Sequence, residues 1–401
     1  MHGFCEKGRS DLNIWMLSDW YPPKVGGIET HAFELTNSLR ESGHAVTVFT
    51  KNMRRSEDGV VEIPCVKVRY LRGLTWMAGL FLNIFSRLGK ETPDIIHAQS
   101  YQPAVSAIIA RALRRKRVPI VMTGHGTVAF STTIGRGWIH RNTIGRVARA
   151  FERFAIKHAD HLISVDKMLE KYALTMLNAG GITLIPNWVD MKIFNRNNTD
   201  VRIAREISSG FSILCPRRLD RKNGLEYAID AYRALVDSGV GNAKLHIVGD
   251  GDDANYLYEL KRKYGLEGVV FWGAKPRESI PHYINAASLV LLPSPLGNFN
   301  FSLLEAWACE KPVLTVPYKD AWKYGGEKMC ETDVDDEKCV LCSLDPADMA
   351  SKIKGIKEGA IGTAGRVSAA RRAIERKYSL GAAVERTCRV YSSIISVSKR
   401  K

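Results

Sequence analysis

No stretch of this 401-residue chain is long and apolar enough to be a membrane-spanning helix, which needs about 18 or more predominantly apolar residues. Residues 279–304 carry no Asp, Glu, Lys or Arg, but His282, Asn285, Pro293, Pro295, Asn298 and Asn300 interrupt them. Residues 73–86 are too short and are broken by Thr75 and Asn83. The opening MHGFCEKGRS has no apolar signal core, and the cysteines (Cys5, Cys65, Cys215, Cys309, Cys330, Cys339, Cys342 and Cys388) are scattered. A cytoplasmic protein with reduced thiols is expected. Cys330, Cys339 and Cys342 lie near one another, but a structural zinc site usually takes four ligands and no His is close. An ordinary loop is the simpler reading, and no metal is expected. Low-complexity segments and short-period repeats are also missing.

Acidic residues are in short supply: 42 Asp and Glu stand against 58 Lys and Arg, a formal charge of +16. Such a chain is drawn to polyanions, whether nucleic acid, anionic lipid or phosphorylated small molecules. A 45% hydrophobic share excludes a disordered chain. The length fits two or three domains.

What is present is alternation. Strands are expected at residues 13–17, 45–50, 66–70, 95–97, 119–122 and 161–165. The first helix, expected at 29–42, has Ile28, Ala32, Leu35 and Leu39 at helical spacing and Gly43 to close it. After a pause near residues 186–205 the grammar restarts, with strands at 211–215, 245–248, 269–272, 289–292 and 313–316. The pattern predicts an α/β fold of two mostly parallel halves. Residues 369–399 read as two helices broken near Tyr378 and Ser379. In parallel sheets ligands sit at the carboxyl ends of strands, so the loops that follow strands are where chemistry is sought.

Gly26 and Gly27 separate the first strand from the first helix, as a close approach to an anion or a tight turn requires. His125 lies between Gly124 and Gly126 at a strand end, a position more functional than structural; His97, also at a strand end, reads equally well as a core imidazole. Arg217, Arg218, Arg221 and Lys222 follow the first strand of the second half, either as a diphosphate site or as a solvated loop. Gly249 and Gly251 form another glycine turn. Asn298, Phe299 and Asn300 lead into a helix bearing Glu305, which has the geometry to accept from ribose hydroxyls or to favour the helix dipole.

These residues, with Trp20-Tyr21-Pro22-Pro23, Glu29-Thr30-His31, the run from Ile185 to Asp190, and Pro293-Ser294 before Leu304-Glu305-Ala306, resemble glycosyltransferase family 4. The resemblance covers nearly the whole chain. It implies the GT-B fold: two Rossmann-like domains facing across a cleft, with a C-terminal helix returning to the first. The expected domains are residues 1–190 on the acceptor side, 191–375 binding a nucleotide-sugar, and 376–401 as the returning helix. Gly26 and Gly27 would approach the donor phosphates, and Gly249 and Gly251 would belong to the same binding surface. His125 would contact the transferred sugar as a catalytic residue. Arg218 and Lys222 would stabilise the leaving diphosphate. Glu305 would bind the ribose, and the loop from Gly273 to Pro276 would meet the base. Asn298, Phe299 and Asn300 match the family's Gly-Phe-Gly.

Two positions depart from the family pattern. Gly297 stands where the family has its first Glu, and Asn223 stands where it has a Lys, with Lys222 one place earlier. The implied function is retaining transfer of a sugar from a UDP- or GDP-sugar to a lipid-linked or glycan acceptor, with no essential metal or cofactor. Because of Gly297, the alternative is a non-catalytic GT-B protein that binds or regulates. Residues 74–88 place Leu74, Met77, Phe81, Ile84, Phe85 and Leu88 on one helical face with Arg69, Arg72, Arg87 and Lys90 at the borders. They read either as a helix packed on the sheet or as a segment lying on an anionic membrane. With the clusters at 114–117 and 141–153, this gives the expectation of a peripheral enzyme on the cytoplasmic membrane face. No nucleic-acid motif is present, so nucleic acid is not an expected partner.

Overall fold

The computed structural model describes residues 11–22, 26–51, 58–65, 72–126, 145–174, 181–295, 300–317 and 334–400. The chain divides into two compact units. Met1–Asn187 and Leu380–Lys401 form the first; Trp188–Ser379 forms the second.

Among the described residues, the first unit holds a parallel sheet of seven strands in the order β3-β2-β1-β4-β5-β6-β7. They are β1 Asn13–Leu17, β2 Ala45–Lys51, β3 Val60–Ile63, β4 Ile95–Ala98, β5 Ile120–Gly124, β6 His161–Ser164 and β7 Gly181–Leu184. Every residue of β4 and β5 is buried, which is why these strands read as mostly apolar runs, broken by His97 and Thr123, and not as alternation. The chain winds outward in opposite directions from β1 and β4, so the topological switch point lies between them.

Helix α1 (Gly27–Glu41) starts two residues earlier than expected, because the Gly26 carbonyl already accepts from the Thr30 N–H at 3.0 Å. Helix α2 (Arg72–Leu88) packs into the sheet's core through Trp76, Leu80, Ile84 and Leu88, all fully buried. This corrects the expected face: Leu74 is 53% exposed. The helix is apolar over most of its circumference, so periodicity alone does not orient it; burying Trp76 does. Helices α3 (Tyr101–Leu113), α4 (Gly145–His158) and α5 (Lys167–Leu174) complete this part of the chain. The strand expected at 66–70 lies outside the described residues.

The second unit repeats the plan, with strand order β10-β9-β8-β11-β12-β13. Its strands are β8 Phe211–Pro216, β9 Ala243–Val248, β10 Val269–Phe271, β11 Leu289–Leu292, β12 Val313–Thr315 and β13 Val340–Leu341. Its helices are α6 Val201–Ile207, α7 Leu225–Asp237, α8 Ala254–Tyr264, α9 Ile280–Ala286, α10 Phe301–Ala308, α11 Pro346–Lys357 and α12 Ala364–Ala373. A π-helical turn, Ile374–Tyr378, follows α12. The Val189 N–H donates to the Tyr378 carbonyl at 2.9 Å, so the two ends of the unit pair with each other.

The last helix, α13 (Leu380–Arg400), returns to the first unit and packs on α1. Among the described residues no helix is long and apolar enough to cross a membrane.

Candidate functional site

In the first unit, polar side chains gather where β1, β2, β4 and β5 end. The Lys51 ammonium lies 4.6 Å from the ring centroids of both Trp20 and Trp76 and 3.7 Å from the Asp19 carboxylate. Asp19 in turn accepts from the Ser100 hydroxyl at 2.6 Å. Gly26 has extended backbone, and a Cβ there would lie 2.4 Å from the carboxylate of buried Glu29, so a side chain at this position would require the Glu29 carboxylate to move. Gly27 is exposed at the head of α1. Pro23, Lys24 and Val25 lie outside the described residues.

His125 follows β5 directly and is half-buried. Its Nε2 lies 3.1 Å from Oε1 of fully buried Gln99. The ring of buried His31, from α1, stands edge-on to it with centroids 4.5 Å apart. Exclusion from water pulls His125 down to about 4, so its imidazole is neutral near pH 7. His97 is a core imidazole: Nδ1 is 2.5 Å from the Tyr391 hydroxyl of α13, and Nε2 is 2.7 Å from the Thr123 hydroxyl of β5. Burial, and then the neighbouring His125, lower it to about 3.

In the second unit the loop after β8 carries the cations. Arg217 donates from Nη2 to Oδ1 of Asn223 at 2.5 Å, and Asn223 donates back to the Arg218 carbonyl at 2.7 Å. Asn223, at the family's Lys position, is therefore a buried clamp on the loop. Burial lowers Arg217 to about 10, which leaves it charged at neutral pH. Arg218 itself is exposed. The Lys222 ammonium is 3.4 Å from Asp220 and its side chain is half-exposed.

Two serines tie this loop to the segment around α10. Ser294 donates to the Lys222 carbonyl at 2.8 Å, and Ser302 donates to the Pro216 carbonyl at 2.8 Å. The backbone of the loop is thereby fixed beside the amino end of α10, where Asn300 caps by accepting from the Leu303 N–H at 3.2 Å. Glu305, buried on α10, accepts from Arg277 Nη1 at 2.5 Å. The Arg277 guanidinium also lies 4.9 Å from the Phe194 ring centroid and 5.7 Å from that of Phe301.

The glycines of this unit differ. A Cβ on Gly249 would stand 2.1 Å from the Arg217 carbonyl, and one on Gly251 would stand 2.3 Å from the Leu219 carbonyl, so the chain's own backbone demands both glycines. Gly273, at φ +69°, has nothing within 4 Å of a Cβ position. Gly297, Asn298 and Phe299 lie outside the described residues, as does Cys330. Cys339 and Cys342 are buried, and no metal-binding group of three or more acidic, His or Cys side chains occurs among the described residues.

The fold thus brings His31, Gln99 and His125 together in one unit and Arg217, Asn223, Arg277 and Glu305 in the other. Sequence reasoning missed His31 as a partner, and also Gln99, Asn223 and Arg277. The available signals were slight: Gln99 stands two residues past His97 at a strand end, and Arg277 stands in the loop after β10.

Residues 25–192 match the family model for Glycosyltransferase Family 4, and residues 199–323 match the model for Glycosyl transferases group 1. An uncharacterized glycosyltransferase of Methanocaldococcus jannaschii is 28% identical over 321 residues, covering 76% of this chain and 80% of the relative. A component of the phosphatidylinositol N-acetylglucosaminyltransferase of Arabidopsis thaliana is 24% identical over 364 residues, covering 86% of this chain and 74% of the relative. Among solved structures, sucrose-phosphate synthase from Thermosynechococcus elongatus superposes with a TM-score of 0.80 at 17% identity, over 96% of this chain and all of that one. At that identity the superposition speaks for the GT-B fold.

Proposed function

Because the chain belongs to the family 4 and group 1 glycosyltransferases, we propose that it moves a sugar from a UDP- or GDP-sugar to a lipid-linked or glycan acceptor, with retention at the anomeric carbon. One observation carries the donor assignment. The Arg217–Lys222 loop after β8 is tied by Ser294 and Ser302 to the head of α10, at the ends of two adjacent strands. A cationic loop whose backbone is held beside a helix amino end suits a diphosphate. In this reading Arg218 and Lys222 meet the charge that develops on the leaving diphosphate. Glu305, oriented by Arg277, takes the ribose hydroxyls. The open position at Gly273 leaves room for the base. His125, neutral and half-exposed, contacts the transferred sugar.

A lipid acceptor is supported by the Arabidopsis relative, whose name joins phosphatidylinositol to N-acetylglucosaminyl transfer. It is also supported by apolar side chains exposed on neighbouring helices: Leu74 and Leu82 on α2, and Ile109 and Leu113 on α3. Arg87 and Arg114 flank them, a composition that suits an anionic bilayer.

The test is a panel of nucleotide-sugars read by thermal shift, followed by the anomeric configuration of the product by NMR. Stabilisation by one UDP- or GDP-sugar and a retained anomer are expected. If no nucleotide-sugar raises the melting temperature, the transfer reading falls and the non-catalytic alternative takes its place. Failure to sediment with anionic vesicles at low salt would remove the membrane assignment.

A further inference from the structure

Gln99 sits at the end of β4 with no freedom of orientation. Its N–H donates to the Leu17 carbonyl at 2.8 Å, and its side chain is fully buried. The amide nitrogen lies 3.2 Å from Sδ of Met16. A thioether only accepts, so the amide N–H must face the sulfur, and Oε1 must face the other way. There it lies 3.1 Å from His125 Nε2.

We propose that Gln99 is a positioning residue that holds His125 as its Nε2–H tautomer, leaving Nδ1 as the lone pair offered to the transferred sugar. This deepens the transfer reading and rests on it for the identity of the ligand, but not for the tautomer. Among the described residues the bond through Nε2 is the ring's one hydrogen bond. A neutral imidazole held this way accepts at Nδ1 and has nothing to donate there. The group it meets must then be a donor: a sugar hydroxyl fits, and the carboxylate of a uronic acid, which offers only acceptors, does not. At the place facing Nδ1 the site therefore selects a hydroxyl over a carboxylate, and disfavours a uronate whose carboxylate falls there. The titratable groups coupled to His125 are His31 from α1 and His97 from β4, and burial keeps both neutral near pH 7.

The tautomer can be read without any substrate. Long-range 1H–15N correlation on the 15N-labelled full-length protein at pH 7, with His125 assigned by its loss in His125→Asn, should show Nε2–H. Finding Nδ1–H would overturn the proposal. Gln99→Met should mix the two tautomers; an unchanged pattern in a folded Gln99→Met protein also overturns it. Gln99→Glu should keep Nε2–H, raise the His125 titration by a unit or more, and move the acid limb of the kcat/KM profile with it. A second arm compares binding of a UDP- or GDP-hexose with the matching hexuronate. At least tenfold weaker binding of the uronate is expected, and equal or tighter uronate binding contradicts the selection. If no nucleotide-sugar binds while Nε2–H is observed, the transfer reading fails and the Gln99 assignment stands.

Discussion

Arg277 donates to Glu305 across 2.5 Å, with the side chains 22% and 7% exposed. The carboxylate proposed to bind ribose is thus aimed by a cation from a neighbouring loop. Arg277→Met strands a buried acid without its partner. A pair of this partial burial lies between the exposed and fully buried cases, so a loss of about 2 kcal/mol is expected. Denaturant unfolding of Arg277→Met, Glu305→Gln and the double variant measures it. The double variant should lose less than the sum of the singles; strict additivity would show that the pair does not couple.

His125→Ala and Arg218→Ala should separate binding from transfer. Each should lower kcat/KM by about 10²–10³, the usual effect of removing one stabilising group. Because Arg218 belongs to the second unit and His125 to the first, affinity for the free nucleoside diphosphate should fall only in Arg218→Ala. Titration calorimetry with UDP and GDP decides this. Equal loss of nucleotide affinity in both variants would misplace the donor.

Acid should weaken the first unit. His31, His97 and His125 all lie below their ordinary 6.5, with His125 near 4 and His97 near 3, and burial is the leading cause in each. In the unfolded chain they take up protons from about pH 6.5 downward; in the folded chain they do so only at far lower pH. The unfolded state therefore binds more protons in that interval, and stability falls as pH falls from about 6.5 toward 4. Melting temperature measured from pH 7.5 to 4.5 should drop through this window, and less steeply in His125→Asn. A flat profile would contradict the burial of neutral histidines.

Gly249→Ala and Gly273→Ala make a controlled pair. Both glycines have positive φ, +148° and +69°, but only Gly249 faces a carbonyl at 2.1 Å from its would-be Cβ. Gly273→Ala should cost about 1 kcal/mol, from its left-handed backbone alone. Gly249→Ala should cost more than about 2 kcal/mol, since the β8 loop has to shift as well. Melting curves test the order, and reversed costs would contradict the packing at Gly249.

The parallel sheets were legible because buried parallel strands leave runs dominated by apolar residues, as in IVM of β5 and LVLL of β11. Strand β7, GITL, is only half-buried throughout and β13 has two residues, so neither leaves a pattern. The position of His125 was readable from the glycines beside it. Its environment was not, because Gln99 and His31 reach it from β4 and α1, and chain spacing carries no record of which strands become neighbours. Asn223 shows the same limit. As a sequence feature it is a missing lysine; in the fold it braces Arg217 and the Arg218 carbonyl.

The order in which the two units can be completed on the ribosome follows from the path of the chain. The first unit is interrupted: Trp188–Ser379 is made between its sheet and its final helix. Tyr391, the partner of His97, therefore emerges only after every strand of both sheets has been synthesised. The second unit has all its residues, including the Val189–Tyr378 pairing that closes it, before the first can finish. The later domain in sequence is the earlier one able to fold, and the emerging first sheet must wait with its His97 hydrogen bond unmade until the last segment of the chain arrives.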